Sequence, residues 1–281
     1  MKRADALTLA FLLLLAGAAL FLPWLSLPAP NNMELGDRLH PPQWTQHPIL
    51  GTDSKGRDLF ARTLAGARIS LWVGLLGSLV ALLIGLPYGA VSGLFGGRTD
   101  RFMMRMADFF ESVPITILVL FLLSILGEYR VELLELGLSR LHIFFFAVGF
   151  LFWLPTARIA RAEALRLRQA LFVDAARSLG ASRKEILFRH LFPNLLPASV
   201  VIMTITIPRV ILMEAFLSFL GLGVEPPGVS WGILAKEGLA AMNPLVHSWW
   251  LLAVPATTLA LTLICLNHWG DKISDRFRAN T

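Results

Sequence analysis

The ionisable and nucleophilic residues of this chain do not fall in the spacings that bond-making chemistry requires. His40, His47, His142, His190, His247 and His268 are scattered. No H-x3-H pair is present and there is a single cysteine, Cys265, so no metal site is expected. The sequence has no G-x-x-x-x-G-K-[ST] run to cradle phosphates, so the chain is not expected to hydrolyse ATP itself. Its serines lie in helical or loop patterns without a nucleophile elbow. Two ionisable residues, Arg209 and Glu214, fall inside an apolar run. A charge at the centre of a bilayer costs ~2.5–3.5 kcal/mol on insertion scales, so both must face protein, each other or water. Their five-residue offset places them poorly on one helix face. Pairing with neighbouring helices and lining a solute path both stay open. If the chain drives anything uphill, the free energy must come from another subunit.

The densest basic block is a polar island between two apolar walls, residues 161–193, RAEALRLRQALFVDAARSLGASRKEILFRHLFP. Its grammar is helix, glycine, helix. The stretch up to Leu179 has helix formers and neither Pro nor Gly, and Gly180 suits a C′ position that needs a left-handed backbone. Ser182 followed by Glu185 is a capping box, which starts a second short helix. Pro193 is expected to stop it, because the residue before a proline disfavours helical angles. Asp174-Ala175-Ala176 lies near the end of the first helix, where small side chains permit close approach of another surface. The bland reading is a basic amphipathic helix on the membrane surface; the sharper one is a docking knuckle for a cytosolic partner.

These residues sit in a membrane context. Of 281 residues 56% are hydrophobic and 16% charged, with a mean hydropathy of +0.65, which fits a multi-span membrane domain. The net charge is +6, but the basic residues lie in short segments between spans, so nucleic acid is not an expected partner. Lipid is. One cysteine inside an apolar run allows no disulfide within the chain.

Six spans are expected. An uncleaved first span covers residues 1–27, a Pro- and Gly-rich outward loop 28–68, a five-span core 69–270, and a cytoplasmic tail 271–281. The later spans begin near Ile69, Phe109, His142, Leu195 and Trp249. Small residues Gly74, Gly77, Gly85, Gly89 and Gly93 stud the second, where they let helices approach closely. Sixteen Lys and Arg residues fall on the side holding the island and eight on the other, with Arg209 inside a span. That excess places the island and both termini on the cytoplasmic side of a multi-pass membrane chain.

The spacing Asp174-Ala175-Ala176, three residues, Gly180, nine residues, then His190-Leu191-Phe192-Pro193-Asn194 resembles the coupling-loop signature of importer-type ABC transporter permeases. That signature usually reads Glu-Ala-Ala, then Gly, then a hydrophobic-Pro end; Asp174 replaces the Glu, and His190 sits where many members have Ile. Three further blocks are similar to the dipeptide, oligopeptide and nickel branch. They are Leu50-Gly51-Thr52-Asp53 with Gly56-Arg57-Asp58 and Arg62, the run Leu217 to Gly223 with Pro226-Pro227 and Ser230-Trp231-Gly232, and Asn267 with Gly270-Asp271. Ala61 stands where the branch has Ser, and the tail KISDRFRANT departs from its pattern. The charged residues of the first block are expected to pair with each other, at modest value if exposed.

The resemblance implies an all-α, six-span fold of the type I ABC importer permease architecture, with the elbow as coupling element. It implies a second homologous permease subunit, two cytosolic ABC ATPases that bind ATP and Mg, and an extracytoplasmic solute-binding protein. It assigns ATPase coupling to Asp174, Ala175, Ala176, Gly180, Ala181, Ser182, Glu185, His190 and Pro193. Arg209 and Glu214 are the candidates for the translocation path. The solute would be a peptide, nickel, a metal chelate or another small solute. The alternative class is an ATP-independent secondary transporter or channel, in which the island is only a surface helix.

Overall fold

The computed structural model describes residues 3–24, 27–43, 48–137, 140–224, 227–242 and 247–279. Lys2, Trp44, His47, Pro226, Asn280 and Thr281, on which parts of the sequence reading fall, lie outside the described residues. Among the described residues the fold is helical, apart from one isolated bridge between Thr52 and Asp58. In chain order the helices are α1 (Arg3–Leu20), α2 (Leu59–Phe95), α3 (Gly97–Glu111), α4 (Ile115–Glu128), α5 (Arg130–Glu135) and α6 (Arg140–Leu151). They continue with α7 (Trp153–Arg168), α8 (Leu171–Ser178), α9 (Arg183–Glu185), α10 (Phe192–Leu220), α11 (Trp231–Ala241) and α12 (Trp250–Ala279).

Four helical stretches are long and apolar enough to cross a membrane, Arg3–Leu20, Leu59–Phe95, Arg183–Leu220 and Trp250–Phe277. Two bent pairs bring the number to six if each is one span. One joins Gly97–Glu111 to Thr116–Ile125 at 83°, the other joins Phe144–Leu151 to Trp153–Arg168 at 41°. Pro114 lies in the first break and cannot donate the amide hydrogen that a continuous helix would need. Pro87, Pro197, Pro208 and Pro255 are by contrast held inside helices.

Several expected boundaries are corrected. The outward loop does not run to residue 68, because α2 begins ten residues earlier, at Leu59. The Asp58 carboxylate accepts from the Ala61 amide at 2.8 Å, an N-cap that starts the helix there. The described part of the tail, residues 271–279, is helical and continues α12. The island is not one helix up to Leu179: Gln169 and Ala170 interrupt it, with Ala170 extended at φ −76°, ψ 145°. The break lets both flanking segments aim apolar residues, Leu167 before and Val173 and Ala176 after, into the same core. Pro193 does not stop a helix either. A wide π-helical turn over Ile186–Leu191 carries α9 into α10, and the Phe192 amide donates to the Leu187 carbonyl five residues back. Pro193 then follows the π-helical turn directly, inside the continuous helical stretch Arg183–Leu220.

The chain divides into two compact units. Unit 1 comprises residues 1–74, 139–144 and 211–268; unit 2 comprises residues 75–138, 145–210 and 269–281. In unit 2, α2 and α7 pack at backbone contact. A Cβ on Gly85, Gly89 or Gly93 would collide with Trp153 and Thr156, with Ala157 and Arg161, or with Ala164. This glycine stripe is what small residues in a span achieve, contact without an intervening side chain. The core beside it joins Leu86, Ala90 and Leu94 to Ala160, Ala164, Val173, Ile186, Leu191 and Leu195. Each fully buried Ile or Leu there contributes ~1.5–3 kcal/mol relative to exposure to water.

Candidate functional site

The elbow of unit 2 is shaped by two local hydrogen-bond motifs. Gly180 has φ 84°, a left-handed angle that costs glycine nothing. Its amide donates to the Arg177 carbonyl at 2.9 Å and the Ala181 amide to the Ala176 carbonyl at 3.0 Å. This pair is the Schellman closure of α8. Two residues on, the Ser182 hydroxyl accepts from the Glu185 amide at 3.2 Å and caps α9. The Glu185 carboxylate turns to Arg189, 2.7 Å away, so only half of the expected capping box is made by side-chain contact. Asp174 is exposed and accepts from Arg177 at 3.1 Å.

These motifs hold open a cleft of about 470 Å³ lined by Phe172, Ala175, Ala176, Leu179, Gly180, Ala181, Glu185 and His190. Six of the nine residues assigned to coupling therefore line one concavity. Ser182 shapes it from its edge, Asp174 stands exposed on α8, and Pro193 lies within α10. Two contributors were missed by motif matching, Phe172 and Leu179. Leu179 is 89% exposed and Leu171 is 87% exposed, large aliphatic side chains left in water on an otherwise polar segment. The available signal was their position within the island, flanking Asp174-Ala175-Ala176 and Gly180. The cleft offers apolar contact, small-residue floor and one carboxylate; it has no constellation for bond-making.

A second polar junction lies near the elbow in unit 2. The Asp100 carboxylate, at the start of α3, accepts from Arg161 Nε at 2.5 Å and Arg161 Nη2 at 2.6 Å, and from the Ser92 hydroxyl at 2.5 Å.

Unit 1 treats its polar residues differently. Asp53 Oδ2 accepts from Arg57 Nε and Arg62 Nη1, both at 2.6 Å, and the same two arginines reach Glu237 at 2.9 and 2.6 Å. The expected pairing is present, and with Arg62 2% exposed it is largely buried, only Glu237 being partly open. Its fourth member, Glu237 on α11, carries no sequence signal linking it to Asp53. Glu214 is also fully buried. Its carboxylate accepts from the Ser70 hydroxyl and the Ser218 hydroxyl, both at 2.7 Å. Arg209 is exposed. Of the two path candidates, then, Glu214 is enclosed by hydroxyl groups and only Arg209 is open to its surroundings. Among the described residues no group of three or more His, Cys, Asp or Glu could hold a metal ion.

The chain belongs to the family of binding-protein-dependent transport system inner membrane components, whose model matches residues 85–279. It is 41% identical over 227 residues to the oligopeptide transport system permease protein OppC of Haemophilus influenzae, covering 81% of this chain and 68% of that one. The OppC protein of Escherichia coli K12 is 38% identical over 274 residues, covering 98% and 86%. The dipeptide transport system permease protein DppC of Bacillus subtilis is 39% identical over 226 residues, covering 80% and 67%. In fold it is similar to a chain of the inward-facing MetNI methionine ABC transporter, with TM-score 0.60 and 18% identity over 78% of this chain and 96% of that one. The type I ABC importer permease architecture is thus confirmed, and the chain is a membrane permease of an ABC importer. The ATP-independent reading is set aside.

Proposed function

We propose that this chain forms half of a peptide-conducting pore and receives mechanical work at its elbow. The peptide assignment is supported by the oligopeptide and dipeptide systems to which its relatives belong. A second homologous permease completes the path. Two cytosolic ATPases bind ATP and Mg, and an extracytoplasmic binding protein delivers the solute. The excess of Lys and Arg on the elbow's side supports a cytoplasmic position for that side and for both termini.

The observation that carries the coupling role is the open cleft with Leu171 and Leu179 beside it. Large apolar side chains left exposed on a charged segment are what a partner surface buries. The elbow is also rigidly attached, since Val173, Ala176, Ile186 and Leu191 sit in the core that holds α2 and α7. Closure of the ATPases on ATP would push this knuckle, and the packed helices would switch access to the path, a rigid-body change biased by a ligand bound elsewhere.

Gly180→Pro tests the reading. Proline cannot adopt φ 84° and has no amide to give Arg177, so the α8 closure is lost. In proteoliposomes holding the whole importer, this variant is expected to hydrolyse ATP without importing peptide. Normal peptide uptake by the variant would contradict the coupling role.

A further inference from the structure

The helix α3 is held to unit 2 mainly by charge. It has one buried side chain, Ala107, while Phe102 and Phe109 are 68% and 67% exposed. Its polar face instead meets α7. Asp100 takes both nitrogens of the Arg161 fork, a bidentate geometry that fixes direction as well as distance. One turn earlier on α7, Arg158 reaches Asp108 at 2.7 Å and also Glu111. Arg158 and Arg161 lie three apart, and Asp100, Asp108 and Glu111 follow one side of α3, so the contacts form a ladder between two helices. Ser92, at the end of α2, bonds the same Asp100 carboxylate, and the Tyr88 hydroxyl donates to the Met103 carbonyl at 2.6 Å.

The far end of α7 is two residues from α8, through Gln169 and Ala170. Those two residues are themselves tied down, their amides donating to Arg166 and Leu167. A displacement of the elbow therefore moves α7. Whether α3 follows depends on the ladder, because little apolar surface links the two. Beyond α3 the chain bends by 83° into the apolar helix Thr116–Ile125.

We infer that Asp100 and Arg161 are positioning residues for coupling, the joint through which elbow movement is passed from α7 to α3 and so to the bent span Gly97–Ile125. This rests on the elbow reading proposed above. Neither residue touches the solute or the ATPase; they act through the helices they join.

The test is a charge swap in the complete importer, reconstituted in proteoliposomes and read as peptide imported per ATP hydrolysed. Asp100→Arg and Arg161→Asp should each lower that ratio about tenfold, within the 5–150-fold span of ordinary allosteric coupling. The double swap, which restores the pair with its charges exchanged, should recover most of the loss, the signature of direct interaction between the two sites. Co-purification of the ATPases is measured in parallel and should be unchanged. Should a reversal fail to assemble, Asp100→Asn, which keeps the shape and one acceptor, should still lower the ratio. Unchanged ratios in the single variants, or in Asp100→Asn, would overturn the inference, as would a double swap as defective as the singles. Gly180→Pro is run alongside. If it is uncoupled while the Asp100 variants are normal, only the joint is wrong. If it is normal while they are uncoupled, the elbow reading falls, and the joint as stated falls with it.

Discussion

The elbow of unit 2 and the charged block of unit 1 are both polar islands in an apolar chain, yet they are finished in opposite ways. In unit 1, Asp53, Arg57 and Arg62 are buried and paired, with the half-buried Glu237 bridging the two arginines, and Glu214 is enclosed by serine hydroxyls. In unit 2, the elbow leaves Leu171 and Leu179 exposed and a cleft open beside them. A network that closes on itself contributes to the fold. A surface left incomplete contributes to contact with something else. Equal charge density in the sequence thus carries two different meanings, decided by which partners the fold supplies.

That contrast can be broken from either side. The largest effect on stability is expected for Arg62→Met. It removes one of the two arginines on Asp53 and Glu237 and leaves Arg57 alone to hold both carboxylates, a loss of about 3 kcal/mol, the low end for breaking a buried pair. The variant should show a large drop in thermal midpoint and in membrane abundance; a midpoint close to that of the parent would place the network outside the stabilising core. Glu214→Leu is next, because it leaves the Ser70 and Ser218 hydroxyls without an acceptor, at about 1–3 kcal/mol. Peptide uptake should follow the lost protein, with the ratio of uptake to ATP hydrolysed unchanged. A fall in that ratio at full abundance would instead assign Glu214 to the path.

Ser182→Ala should cost about 1 kcal/mol of local helix stability through its lost cap. Hydrogen exchange of the Glu185 amide should quicken while unit 1 amides do not. The smallest stability effect belongs to Leu179→Ser. The side chain is 89% exposed, so the change should stay within about ±0.5 kcal/mol. Transport should nevertheless fall, and the ATPases should co-purify poorly. Full transport by Leu179→Ser would mean that the exposed apolar rim does not serve docking.

Much of the architecture was legible from the chain. Apolar runs of membrane length gave the spans, and Gly180 and Ser182 marked the turn and cap, because both effects are local. What the sequence left obscure depended on long-range partners. One miss was local instead: Asp58 caps α2 through the Ala61 amide, but the Pro- and Gly-rich surroundings masked that start. The break at Gln169–Ala170 has no Gly or Pro to announce it; it follows from two segments sharing one core. Glu237 joins Asp53, and Asp100 joins Arg161, across separations that no spacing rule covers. Pro193 misled because a π-helical turn upstream absorbs its missing donor.

The docking of an ATPase on the elbow can be measured by cross-linking. In a Cys265→Ser background, which removes the one native thiol, Leu179→Cys is introduced into the assembled importer and treated with a short thiol- and amine-reactive linker. The same is done with the exposed Leu35→Cys of unit 1. An ATPase adduct from position 179 and none from position 35 is the predicted result. An adduct from position 35 with none from position 179 would contradict the account.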